Sequence, residues 1–203
     1  MKHSLDTTDS HERVLNSAER LFAQRGYNSV TLRDIAADVG VHHTTLYHHV
    51  PGGKEQLFID VLERTLQHHR KGMTDAIAQA QVSVRSQLYA IAEWLLSQPT
   101  MDLVRLTYSD MPAIDPVQAE RLLNLTYDAM LSPIEKVLRS AQQRGEVAEH
   151  DYSLVAGTFL GMIENLYSVP STVIIKTRQQ MAIELITILL MGLRALTKED
   201  ETE

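Results

Sequence analysis

The residues best placed to do chemistry lie between Thr31 and Lys54. His42, His43, Thr44, Thr45, Tyr47, His48 and Lys54 all carry N–H or O–H groups. Such groups donate to phosphate oxygens and to base edges. Thr31 and Arg33, just upstream, extend the set toward phosphates. No acidic side chain occurs between Asp38 and Glu55, in a chain with 26 acids and 19 bases. A plain helical hairpin would have no reason to lack acids there. A surface that reads DNA would, because a carboxylate repels the phosphate backbone.

The elements that position these residues follow from local pattern. Thr31 and Asp34 form an acidic variant of a capping box. Leu32, Ile35, Ala36 and Val39 fall on one helical face. Gly40 follows, where a left-handed residue turns the chain sharply. Val41 plugs the corner. A second short helix is predicted from about His42 to His49, with Leu46 inward and the remaining surface free. Two short helices joined by a glycine turn make a helix-turn-helix, whose second helix fits the major groove of DNA.

The run R-V-L-N-S-A-E-R-L-F-A-Q-R-G-Y from Arg13 to Tyr27, then T-L-R-D-I-A, G-V, T-L-Y-H-H and K-E-Q-L-F, resembles the N-terminal DNA-binding domain of TetR-family transcription regulators. The resemblance covers about residues 11 to 60. Four positions depart from the family pattern: His42 for a serine cap, Thr44 for glycine or alanine, Val50 for an aromatic, and Pro51-Gly52-Gly53 before Lys54. They bear on operator sequence and on the pose of the following helix.

Composition sets outer bounds. There is no cysteine among 203 residues, so neither disulfides nor thiolate chemistry are available. This suits a reducing cytoplasm. The polar N-terminus has no apolar signal core. The apolar run Leu185 to Leu193 is too short to span a bilayer, so no membrane partner is expected. The net charge is −7, and residues 1–58 hold six Lys or Arg against seven Asp or Glu. The six histidines of that stretch can add charge beside phosphates. The balance implies modest affinity for non-specific DNA. An enzyme finds little support: there is no nucleophile elbow, no phosphate-binding glycine loop and no His-x-x-x-His pair. No catalytic residue, metal site or cofactor is expected.

Along the chain, residues 1–8 read as a loose arm. Asp9 is placed to cap a first helix that carries Val14, Leu15, Ala18, Leu21 and Phe22 and stops at Gly26. Tyr27 is expected to pack. Lys54 to about Gly72 reads as one helix, with Lys54 at a phosphate-favouring N-terminus. Further helices are predicted over Thr74 to Ser97 and Thr100 to Asp110. Another opens at Asp115-Pro116, and Pro133 kinks it or restarts it with Ser132 and Glu135 as caps. Two more follow, capped by Asp151 and by Thr177 with Gln180. No strand pattern appears. The fold class is all-α with about nine helices: a three-helix helix-turn-helix head with its arm (residues 1–53) and a larger helical ligand-binding and dimerisation domain (residues 54–203).

The last two helices are apolar nearly all round and need cover on more than one side. A two-fold homodimer supplies that cover and two reading heads. Gly157, Gly161, Glu164, Leu185, Leu189 and Leu193 are assigned to its seam. Trp94, Met101, Tyr108, Tyr127, Met130, Phe159 and Met162 read first as plain core. The resemblance implies an inducer site in this part of the chain, and a Met-rich lining suits an apolar, adaptable one. Arg105 is the nearby base able to pair with a carboxylate. Glu164 and Asn165 face ligand, seam or solvent. The function these readings imply is a cytoplasmic DNA-binding regulator, a repressor released from a palindromic operator by a small, largely apolar effector; the alternative is a helical scaffold or a DNA-binding protein without a ligand response.

Overall fold

The computed structural model describes residues 3–169 and 175–194, without the side chains of 3–9, 48 and 49. Every regular element among them is helical. The helices are α1 (His3–Ser29), α2 (Leu32–Val39), α3 (His43–His49), α4 (Gly53–Gln79), α5 (Val84–Ser97), α6 (Leu103–Arg105), α7 (Pro116–Thr126), α8 (Ser132–Gln143), α9 (Tyr152–Asn165) and α10 (Arg178–Gly192). A π-helical stretch, Leu106–Asp110, continues α6, and another, Tyr127–Leu131, joins α7 to α8. The chain forms two compact units, residues 1–66 with 101–125, and residues 67–100 with 126–203.

In the first unit, Val14, Ala18, Leu21 and Phe22 of α1 are buried with Ile35 and Ala36 of α2, Leu46 of α3 and Leu57 and Phe58 of α4. Tyr27 is buried too, its ring 4.9 Å from Phe58 and 6.1 Å from Phe22. Gly26 breaks α1 with φ 76, as expected of a stop residue. Two expectations fail at the start of α1. The helix begins at His3, so residues 3–8 are not a loose arm and Asp9 does not stand at a cap position. No proline or glycine lies between His3 and Glu12 to stop it earlier.

In the second unit, α5, α8, α9 and α10 pack around Leu88, Ile91, Met130, Ile134, Leu138, Phe159 and Ile186, each under 2% exposed. Asp151 caps α9 by accepting from the N–H groups of Ser153 and Leu154, and Thr177 with Gln180 closes a capping box on α10. The break between α4 and α5 falls at 80–83, not near residue 73 as the sequence suggested. α4 runs through Gly72, where the Trp94 indole occupies the space a side chain would need: a Cβ there would lie 2.0 Å from Trp94 Cζ2. Ser83 caps α5 instead. Glu146 accepts from the Val84 N–H at 2.7 Å. Burial pushes the Glu146 carboxyl up, but this N–H and Arg144 together hold it below its ordinary value. Ser132 and Glu135 do not cap α8. The π stretch absorbs Pro133, and buried Glu135 accepts from Tyr127 Oη and from Ser153 Oγ (2.8 Å).

Candidate functional site

The helix-turn-helix is built as the local chemistry dictates. Thr31 Oγ1 accepts from the Asp34 N–H at 3.2 Å, and Asp34 Oδ2 accepts from the Thr31 N–H at 2.7 Å. These bonds with Thr31 hold the Asp34 carboxyl below its ordinary range. Gly40 takes φ 77, and its N–H donates to the carbonyls of Ala36 and Ala37. Val41 is half-buried at the corner. Leu46 anchors α3 and is fully buried. Arg20 and Ser17 of α1 both donate to Asp38, lowering its pKa. Arg13 donates to the Val39 carbonyl at 2.9 Å. The two helices are thus clamped to α1 through side chains that point away from α3.

That leaves one face of α3 free. His43, Thr44, Thr45 and Tyr47 are exposed, as is His42 at its N-cap. His42 Nδ1 lies 2.8 Å from Thr44 Oγ1, and the two imidazoles stand 5.1 Å apart. His43 meets the Tyr47 ring edge-on at 6.2 Å. The side chain of His48 lies outside the described residues. Arg33 is exposed on α2 with no partner among the described residues. Lys54 is placed differently from the expectation. Its Nζ donates to the Tyr27 carbonyl at 2.9 Å and sits 4.0 Å from the centre of the Tyr27 ring. Partial burial lowers its pKa, a shift opposed by the Asp110 carboxylate. This ammonium ties α4 to the end of α1 and is half-buried, so it is not a free phosphate ligand.

The residues assigned to an apolar effector site fall in both units. Met101, Arg105 and Tyr108 belong to the first unit, the other five to the second. Arg105 donates to the carbonyls of Phe22 (3.2 Å) and Ala23 (2.7 Å), closing the end of α1 rather than awaiting a carboxylate. Tyr108 is 79% exposed. Met130 and Phe159 are sealed into the core, where their size fills space that no ligand can share. Met162 is half-buried, and Tyr127 holds Glu135. Only Trp94 lines the groove of about 630 Å³ along the end of α4 and the face of α5. Tyr89 and Glu93 line it too, and the sequence reading missed both. Their own spacing, four apart on one helix, was the available signal.

The seam assignment shifts by register. Ala182, Ile186, Leu190 and Leu193 face inward, while Leu185 and Leu189 are half-buried. The exposed apolar residues are Ile183, Ile188 and Met191 of α10 and Leu154 of α9. Leu193 is therefore core. A Cβ on Gly157 would meet Leu131 Cδ2 at 3.9 Å, whereas Gly161 faces open space. Glu164 is half-buried and engaged, and Asn165 is exposed.

No group of three or more potential metal ligands occurs among the described residues, and no described helix is long and apolar enough to cross a membrane. Residues 14–61 match the family model for bacterial regulatory proteins of the tetR family. Residues 84–184 match that for the AefR-like transcriptional repressor C-terminal domain. The chain is 38% identical over 69 residues to the HTH-type transcriptional regulator LmrA of Bacillus subtilis, covering 34% of this chain and 37% of that protein. It is 29% identical over 113 residues to the HTH-type transcriptional repressor AcnR of Corynebacterium glutamicum, covering 54% of each. The chain thus spans between about a third and about half the length of these relatives. Among solved structures, AibR in complex with isovaleryl coenzyme A and operator DNA is similar in fold, with a TM-score of 0.73 at 19% identity over 89% of this chain and 98% of that one. The ketosteroid regulator KstR2 of Mycobacterium tuberculosis gives 0.69 at 18%, over 92% and 95%. With both its helix-turn-helix and its C-terminal helices matched, the chain belongs to the TetR family of bacterial regulatory proteins.

Proposed function

We propose that this protein is a cytoplasmic DNA-binding transcription regulator, a repressor that a small effector releases from a palindromic operator, and that it has no enzymatic activity. The observation that carries the reading is the free face of α3: His42, His43, Thr44, Thr45 and Tyr47, all exposed, with no acid between Asp38 and Glu55. In this reading α3 enters the major groove. His42, His43 and Thr44 meet base edges, and Thr45, Tyr47 and His48 lie nearer the backbone. Residues 1–53 act as the head and 54–203 as the effector and dimerisation domain. Two protomers pair through α9 and α10, giving two heads for two half-sites. An effector lowers operator affinity by preferring the state that does not fit DNA.

DNase footprinting on DNA flanking the protein's own gene tests this. The expected result is protection of two half-sites related by a two-fold axis. His43→Ala and Thr44→Ala should each weaken specific binding about tenfold while sparing random DNA. Equal affinity for every fragment, with no protected sequence, would overturn it.

A further inference from the structure

The groove beside α5 has a one-sided chemistry. Ala76, Ala80 and Ala90 give it small apolar walls, Tyr89 and Trp94 aromatic surface, and Glu93 a carboxylate. No lysine or arginine lines it. Glu93 is exposed and holds no partner among the described residues. The nearest guanidinium in sequence, Arg85, is held by Tyr89 Oη (3.0 Å) and Thr187 Oγ1 (3.1 Å). Arg85 leans toward the Tyr89 ring, so Trp94 supplies the better aromatic face for a cation. The indole is itself fixed, with its edge over Gly72 and the His68 ring 5.1 Å away.

We propose that this groove binds an organic cation, a protonated amine carrying an apolar body. An ammonium gains both from the indole face and from the Glu93 carboxylate. The alanines leave room for the carbon skeleton along this open groove of about 630 Å³. A neutral molecule of the same shape keeps the apolar contacts and uncharged hydrogen bonds, to Gln79, Gln81, Ser86 or Ser97 among others, but loses the charge attraction, and an anion meets Glu93 as a like charge. The expected largely apolar effector is thereby given a charged end. The inference concerns ligand binding alone and stands whether or not binding releases DNA.

Trp94 is the only tryptophan in the chain, so its emission reports on the groove directly. The full-length protein is titrated with 2-phenylethylammonium, 2-phenylethanol and phenylacetate. The expected result is a saturable change of emission with the ammonium at millimolar concentration, a weaker one with the alcohol and none with the carboxylate. Glu93→Gln should lower ammonium affinity about tenfold and leave the alcohol unchanged. Calorimetry on Ala90→Leu, which narrows the groove and keeps the Glu93 carboxylate, should show binding lost. Equal response to ammonium and carboxylate would overturn the proposal. So would unchanged ammonium affinity in Glu93→Gln, or no saturable response at all.

Discussion

The backbone N–H of Tyr27 donates to Oδ1 of Asp110 at 2.9 Å, across 83 positions of sequence. Asp110 is buried, and Arg105 Nε lies 3.6 Å from its other oxygen. Arg105 in turn donates to Phe22 and Ala23, and Asn28 Nδ2 to the Ser109 carbonyl. The kink at Gly26 leaves the end of α1 with unpaired backbone groups, and the π stretch Leu106–Asp110 satisfies them. Removing the carboxylate would leave a buried N–H without an acceptor and the Arg105 guanidinium with only Asp102, 3.9 Å away, as counter-charge. Asp110→Ala should therefore cost about 2–4 kcal/mol in urea unfolding. A loss under about 0.5 kcal/mol, the range of an ordinary surface change, would mean the cluster is not holding the end of α1.

Trp94 and Gly72 make a second such relationship. Any side chain at Gly72 collides with the indole, so the ring or the helix must shift. Gly72→Ala should displace the ring, cost about 1–3 kcal/mol and move the single-tryptophan emission to longer wavelength. An emission spectrum identical to wild type would show that the helices part without moving the ring.

How much of this was legible beforehand depends on the range of the interaction. The caps at Thr31, Asp115, Asp151 and Thr177 were readable, because each needs only residues two or three positions away. The free face of α3 was readable for the same reason. The length of α4 was not, since Gly72 read as a stop, whereas it is a helical position whose missing side chain makes room for Trp94, 22 residues on. Arg105 looked like a ligand base until its acceptors, carbonyls more than 80 positions away, were seen. In α10 only Glu184 and Thr187 interrupt the apolar run from Met181 to Met191, too few to mark the register, so Leu193, which is core, was assigned to the seam.

Lys54 and Arg33 separate stability from DNA contact. Lys54 is spent inside the fold on the Tyr27 carbonyl and ring, while Arg33 is exposed and unpaired among the described residues. Lys54→Ala should lower unfolding free energy by about 1 kcal/mol. Arg33→Ala should leave stability unchanged and reduce the salt slope of DNA binding by about 0.9. A salt slope that changes in Lys54→Ala but not in Arg33→Ala would reverse the two roles.

Asp38 gives the head a defined acid sensitivity. Its carboxyl is held below the ordinary 3.8 by the Arg20 and Ser17 hydrogen bonds. A folded value below the unfolded one means that the stabilisation is complete above about pH 4 and is lost as pH falls through the folded value. Asp34, lowered by Thr31, acts in the same direction. The urea midpoint should therefore fall below pH 4, and fall less steeply in Asp38→Asn. Parallel curves for the two proteins between about pH 2.5 and 5 would show that Asp38 contributes no such linkage.

The dimer prediction turns on which face of α10 is free. Ile188 and Met191 are 66% and 61% exposed, and Leu154 of α9 is 67% exposed. Scattered exposed apolar residues are ordinary, but Ile188 and Met191 are one turn apart, and Ile183 lies two turns before Met191. Water against them is unfavourable, and an identical helix from a second protomer would remove it. Ile188→Glu with Met191→Glu should convert the dimer to monomer with helix content unchanged, because neither side chain supports the core. Gly161→Leu should do the same, since its Cβ would point into open space. Gly157→Leu is a poorer probe, because its side chain would press on Leu131 within the protomer. Analytical ultracentrifugation at micromolar concentration decides the matter. A wild-type protein that sediments as a monomer removes the dimer, and a double variant that stays dimeric moves the seam off this face of α10.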